Sequence, residues 1–135
     1  MQIEGGCYCG MLRYRAAGEP QLRLQCHCRE CQTIAGGGPN FTLAMPAEGF
    51  AYTAGEPERF SRPDLERPVT REFCGTCGTH ILTRSPRLPE TVLIKVGSLD
   101  DPEAFGAPQI AIFTAEARTF HHIPDSLTAY PGPPR

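Results

Sequence analysis

Seven cysteines carry the chemistry of this 135-residue chain, and all of them sit in three tight clusters. They read Cys7-Tyr8-Cys9, then Cys26-His27-Cys28-Arg29-Glu30-Cys31, then Cys74-Gly75-Thr76-Cys77-Gly78. A sulfur placed only for packing would be scattered along the elements. Sulfurs two or three residues apart can turn their thiolates toward one point, which is what a soft cation needs. Seven is an odd number, so a pure disulfide framework leaves one sulfur unpaired. Within a cluster, only the C-x-x-C pairs close a comfortable short disulfide. The N-terminus has no basic segment followed by an apolar run, so a cytoplasmic setting with reduced thiols is expected. There, clustered thiols read as metal ligands or redox catalysts.

Ligand counting divides the set. A structural zinc site closes with four ligands, and a catalytic one keeps three and leaves a position open. Cys74-Gly75-Thr76-Cys77-Gly78 has the pattern of a zinc knuckle, with glycines where backbone amides must turn toward sulfur. Such a knuckle supplies two ligands and needs two more. Cys7 and Cys9, also followed by a glycine, are the natural second pair. That clip would tie the N-terminus to the middle of the chain, a long-range restraint that suits a small protein. Cys26, Cys28 and Cys31 remain. They can wrap a second ion from one side and leave its other face free. Two rival readings stand beside this one: a histidine closes the trio, or the three thiols are redox-active without metal. His27 lies between two ligands and points away from them in an extended segment. His80 reaches the trio only if the fold brings the clusters together.

The elements that must position these sulfurs are short. Fourteen glycines and fourteen prolines punctuate the chain, and the length fits one domain over residues 1–135. Strands are expected over 11–16, 22–26, 40–45, 50–54, 57–62, 69–73, 79–84, 91–97 and 109–114, where apolar and β-branched residues recur between breakers. The one helix candidate runs from Arg29 to Ala35 and stops at Gly36-Gly37-Gly38-Pro39. The expected fold is mainly β, built of short antiparallel strands with metal-bearing turns. The tail from Tyr130 reads as frayed or extended. A net charge of −2 and dispersed arginines argue against a nucleic-acid partner. No apolar run approaches the roughly 20 residues of a membrane helix.

Gly5-Gly6-Cys7-Tyr8-Cys9-Gly10, Cys26-His27-Cys28-Arg29-Glu30-Cys31-Gln32 and Phe73-Cys74-Gly75-Thr76-Cys77-Gly78, in this order and separation, resemble the glutathione-dependent formaldehyde-activating enzyme family, which includes the centromere protein V group. Lys95-Val96-Gly97-Ser98-Leu99-Asp100 followed by Pro102 is similar to a later signature of that family. The resemblance covers nearly the whole chain. It implies a fold of antiparallel sheets called a β-tent. It implies a structural zinc on Cys7, Cys9, Cys74 and Cys77 and a catalytic zinc on Cys26, Cys28 and Cys31. It also implies carbon–sulfur lyase chemistry, with a thiol such as glutathione and an aldehyde such as formaldehyde as small-molecule partners. The family's named enzyme is longer than this chain. This chain has no tryptophan; Phe120 stands near the place of a tryptophan common in the family, and Ala111 near that of a histidine.

The remaining candidates each have a plain reading. His27 caps the turn or transfers a proton, Gln32 is exposed helix, and His80, His121 and His122 are solvated or structural, or else serve the site. Phe41 is core or pocket wall. The Gly36–Gly38 stretch stops the helix or lets backbone amides approach an anion. Asp100 and Asp101 are turn residues. Two functions then compete: a zinc-dependent thiol–aldehyde adduct enzyme, and a non-catalytic protein-binding module held together by two closed zinc sites.

Overall fold

The computed structural model describes residues 1–134. Among these, eleven strands form two sheets. The smaller contains β1 (Gln2–Gly6), β2 (Arg13–Ala17) and β5 (Phe50–Ala54), in the order β1-β2-β5. The larger adds β3 (Leu22–Cys26), β4 (Asn40–Pro46), β6 (Glu58–Phe60), β7 (Thr70–Phe73), β8 (His80–Arg84), β9 (Thr91–Lys95), β10 (Ile110–Ile112) and β11 (Thr128–Ala129). Its order is β11-β10-β3-β4-β9-β8-β7-β6. The only α-helix among the described residues is α1 (Arg29–Ile34). The protein is mainly β with antiparallel sheets, as expected; β10 alone runs parallel to its neighbours β3 and β11.

Several boundaries move. The segment Gln-Ile-Glu-Gly-Gly has no strong β-forming run, yet it forms β1 because β2 offers a five-residue antiparallel partner. The expected strand over 91–97 ends at Lys95, where Val96–Ser98 tighten into a 3-10 turn. Those over 57–62 and 109–114 shrink to three residues each. The tail is neither frayed nor free as far as it is described. Tyr130 N–H donates to Ala111 O at 2.9 Å, and Gly132 O accepts from Phe113 N–H at 2.9 Å. Arg135 lies outside the described residues.

The period of two along each strand separates the two faces of the large sheet. One row of directly opposed residues runs Leu43, Ile94, Leu82. These pack with Ile3, Tyr14 and Ala16 of the small sheet, and with Leu12 just before β2, in the main core. The neighbouring row runs Leu22, Ala44, Leu93, Thr83, Arg71, and the next contains Leu24, Thr42 and Lys95. By the same alternation, Cys26 shares this second face with Lys95 and Arg71. The second face therefore carries a cysteine ligand candidate and two cations on one surface.

Candidate metal centres and active site

Cys7 and Cys9 lie in the turn after β1, and Cys74 and Cys77 in the turn between β7 and β8. The two turns have parallel designs. Gly10 N–H closes on Cys7 O at 3.1 Å, and Gly78 N–H closes on Cys74 O at 2.8 Å. Gly10 and Gly78 have φ of 83° and 80°, a left-handed backbone that side-chain-bearing residues rarely adopt. Leu12 N–H points at Cys7 Sγ at 3.2 Å, and Cys77 N–H at Cys74 Sγ at 3.4 Å. Such bonds favour thiolate over thiol. All four Sγ atoms lie within 4.8 Å of one another. Cys9 Sγ is 3.6 Å from Cys7 Sγ and 3.7 Å from Cys74 Sγ. Tetrahedral ligands at a zinc–sulfur bond length would stand about 3.8 Å apart. The donor set thus fits a four-thiolate metal site, and all seven cysteines are free thiols.

The second cluster is assembled locally. β3 delivers Cys26 at its last residue, Cys28 is the N-cap of α1, and Cys31 lies inside the first turn. The Cys28 Sγ accepts the Cys31 N–H at 3.2 Å, which is the capping bond itself. The three Sγ atoms lie within 4.8 Å of one another, and among the described residues no histidine or carboxylate joins them. Hydrogen bonds from the Cys26 and Cys31 thiols pull the Cys28 thiol far below its ordinary range, down to about 2. Bonding to Cys28 and to Cys31, together with burial, pushes Cys26 strongly up. Three packed sulfurs cannot all ionise alone, so their protons come off in separate steps that belong to the group. A divalent cation removes that restriction.

Two cations face this cluster. Lys95 is only 9% exposed. Burial lowers its ammonium to about 8, against the opposing pull of the Cys31, Cys26 and Cys28 sulfurs. Arg71 donates to Glu30 Oε2 at 2.9 Å, and its charge also lowers the Cys28 thiol. Glu30, the residue before Cys31, accepts a second ion pair from Arg62 at 2.7 Å. These bridges tie α1 to the β6–β7 connection. Between them lies a cavity of about 560 Å³. Neither Lys95 nor Arg71 was singled out by sequence spacing. Lys95 ends an apolar strand, Thr-Val-Leu-Ile-Lys, and a lysine at a strand end reads as solvated; only the cross-strand register shows it facing sulfur.

Residues 2–116 match the family described as glutathione-dependent formaldehyde-activating enzyme. The chain belongs to this family. A protein of Halomonas elongata named "putative glutathione-dependent formaldehyde-activating enzyme" is 30% identical over 97 residues, which cover 68% of this chain and 62% of that protein. The chain thus spans less than two thirds of that relative's length. A crystal structure of a Rhodobacter sphaeroides protein superimposes with a TM-score of 0.59 at 18% identity, covering 78% of this chain and 97% of the other. That likeness concerns the fold.

Within the family framework, several plain expectations are corrected. His27 does not cap α1; Cys28 does. His27 is fully buried. Its Nε2 meets the Gln25 amide nitrogen at 2.9 Å and its Nδ1 meets His121 Nδ1 at 3.0 Å. The Gln25 amide must donate, so His27 carries its proton on Nδ1 and passes the hydrogen bond to His121, whose Nε2 then donates to Gly37 O at 2.8 Å. This neutral chain fastens the trio's turn to the glycine stretch and the 114–122 segment. Gln32 is buried rather than exposed, because its amide donates to His27 O and Glu116 O, both at 2.8 Å. Phe41 is 42% exposed, outside the core, and meets Phe105 edge-on. Phe120 is exposed and Ala111 buried. The glycines do stop α1, with Gly37 N–H donating to Gln32 O. Asp101 caps the 3-10 turn at Pro102–Phe105, as a turn residue should.

Proposed function

We propose that the protein is a zinc-dependent carbon–sulfur enzyme that joins a thiol to an aldehyde at the Cys26–Cys28–Cys31 cluster, or breaks the adduct so formed. Formaldehyde with glutathione is the reference pair, by membership of the family. The observation that carries this reading is the contrast in donor sets. Cys7, Cys9, Cys74 and Cys77 offer four sulfurs that would close a metal's shell, whereas the trio offers three sulfurs and, among the described residues, no fourth ligand. Zinc held by the trio would supply the Lewis acidity that lowers the pKa of an incoming thiol.

The chain's own residues set the conditions. Three thiolates on a divalent ion leave a local charge of −1, which suits a soft ligand better than hydroxide. Lys95 offsets that charge from a buried position, so the cluster stays ionised without solvent. Arg71 adds a second positive field on the Cys28 side. Cys28 is the least buried of the three sulfurs and marks the side from which a substrate arrives. In the forward direction a C–S bond forms at the aldehyde carbon, and the thiol proton ends on the former carbonyl oxygen. The reverse breaks that bond and regenerates both reactants. Proximity of the two reactants supplies much of the rate gain. Reactive thiols of this kind require a reducing, cytoplasmic setting.

The test is formation and breakdown of S-hydroxymethylglutathione, followed by NMR exchange with zinc-loaded protein. Catalysed exchange is expected for wild type. Cys28→Ser should lose it while keeping one tightly held zinc. Exchange at the protein-free rate in wild type would overturn the reading.

A further inference from the structure

Of the thirteen lysines and arginines in the chain, Lys95 is the only lysine. Among the described residues, every side-chain cation in an ion pair is an arginine, set against Asp100, Asp64, Glu30 or Glu72. Lys95 pairs with no carboxylate. It is 9% exposed and lies opposite Thr42, which lies opposite Leu24, two residues before Cys26 on the same face. The sulfurs of Cys31, Cys26 and Cys28 are the negative groups that act on it. Its Nζ makes no hydrogen bond among the described residues, yet the one side-chain polar atom sealed from solvent without a partner is His80 Nδ1. The Lys95 stem is therefore buried while the amine at its tip keeps an opening to solvent. A permanent counter-charge could be supplied here, as everywhere else in the chain, by arginine. A primary amine adds one property that a guanidinium lacks, the ability to form a C=N bond with a carbonyl.

We propose that Lys95 captures the aldehyde: its amine condenses with a small carbonyl compound to an iminium ion beside the trio, and the thiol attacks the iminium carbon. The Lys95 ammonium and formaldehyde give the iminium and one water. The positive charge stays on the Lys95 nitrogen, so the sulfurs keep their counter-ion. The thiol then sheds its proton, its sulfur forms the C–S bond, and the C=N electron pair returns to nitrogen, leaving an N–CH2–S link. Water supplies a hydroxyl to this carbon and a proton to the nitrogen as the C–N bond breaks, and the proton shed by the thiol restores the ammonium. The sum is aldehyde plus thiol to the S-hydroxymethyl adduct. Burial of the stem limits the water that reaches the iminium before the thiol does. The thiol step rests on the proposed function; capture of a small aldehyde by Lys95 does not.

The test traps the iminium. Zinc-loaded wild type is treated briefly with limiting formaldehyde and sodium cyanoborohydride, digested and read by mass spectrometry; hydride turns the iminium into a methylamine that stays on the residue. The other primary amine of the chain, the α-amino group of the exposed Met1, is the internal control. Lys95 should be methylated about tenfold or more faster than Met1. A buried lysine that serves only as a counter-ion would be labelled more slowly than Met1, and that result would overturn the assignment. Lys95→Arg keeps the charge and should lose catalysed exchange of S-hydroxymethylglutathione while holding both zinc ions. Wild-type exchange in this variant would also overturn it. Labelling of wild type decides by itself if the variant folds poorly. Exchange in wild type without preferential label at Lys95 removes the capture step alone. Preferential label at Lys95 without thiol–aldehyde exchange removes the chemistry proposed for the trio and leaves the capture standing.

Discussion

The two sulfur clusters use the same side chain in different surroundings. The four-sulfur cluster joins turns far apart in the chain, 65 residues between Cys9 and Cys74. It is made by two matching glycine turns. The three-sulfur cluster is local to one strand end and one helical turn, so it restrains little of the chain. It has instead a buried lysine and an arginine whose charges act on its sulfurs. Long-range closure with four donors suits architecture, whereas local assembly with three donors and nearby positive charge suits the proposed guest.

The largest effect should come from breaking that division at its structural end. On the proposed zinc division, Cys74→Ser removes a buried ligand from the structural site. Structural zinc contributes roughly 10–16 kcal/mol in small domains, and a domain has only about 5–15 kcal/mol in all. The variant should be largely unfolded in circular dichroism at 37 °C. Cys28→Ser should remain folded, with a melting temperature near wild type, and lose activity. Equal melting temperatures for the two variants would erase the distinction between the clusters.

Lys95→Met sharpens the comparison from the other side. Without the cation, the trio's negative charge is uncompensated. Metal affinity at the trio should fall by about 10–100-fold, the usual scale for an outer partner of a metal site. The four-sulfur site should keep its ion in a chelator titration. The metal-free protein should gain roughly 1 kcal/mol, since a buried ammonium is replaced by an apolar chain. An unchanged chelator profile would show that Lys95 serves packing rather than charge.

His80 tests the same region through pH. Burial, with Lys95 and Arg71 nearby, lowers its pKa to about 3. The unfolded value is near 6.5. A histidine held neutral in the fold contributes stability that is complete above about 6.5 and is lost as pH falls toward its folded pKa. The loss approaches ~1.4 kcal/mol per pH unit below the unfolded value. His80→Phe should therefore flatten the denaturant-midpoint profile between pH 7 and pH 5.5. Parallel profiles for wild type and variant would contradict the neutral, buried ring.

How much of this was legible before the fold was known follows from where the information resides. The grouping of the seven sulfurs into four and three could be read from Cys7 to Cys77, because ligand spacing is a local property and counting does the rest. Most strands could be read from their β-branched runs. β1 could not, since Gln2–Gly6 is a strand only by virtue of its partner. Lys95, Arg71 and His80 were not legible as a group. Their convergence depends on register across β9, β8 and β7 and on the irregularity between Glu72 and Phe73. Gln32 and His27 misled for a related reason. A polar side chain in a short helix or turn is solvated by default, and these two are buried because residues around 116 and 121 arrive to satisfy them.

The smallest expected effect concerns the signature segment Lys95–Asp100, which serves both regions at once. Lys95 faces the trio, Ser98 Oγ meets Tyr14 OH at 2.8 Å in the main core, and Asp100 pairs with Arg13 beside the first sulfur turn. The Arg13–Asp100 pair is bidentate, with one bond at 2.9 Å, but both side chains are more than one-third exposed. Exposed pairs contribute about 0–1 kcal/mol. The neighbouring backbone bond from Asp100 N–H to Glu4 O, at 3.0 Å, holds β1 whether or not the side chain is charged. Asp100→Asn should thus lower stability by less than ~1 kcal/mol, with the difference shrinking in high salt. Zinc content and adduct exchange should be unchanged. A loss of exchange in this variant with both ions retained would move Asp100 from architecture to chemistry, and the separation between the two sulfur clusters would have to be redrawn through the segment that joins them.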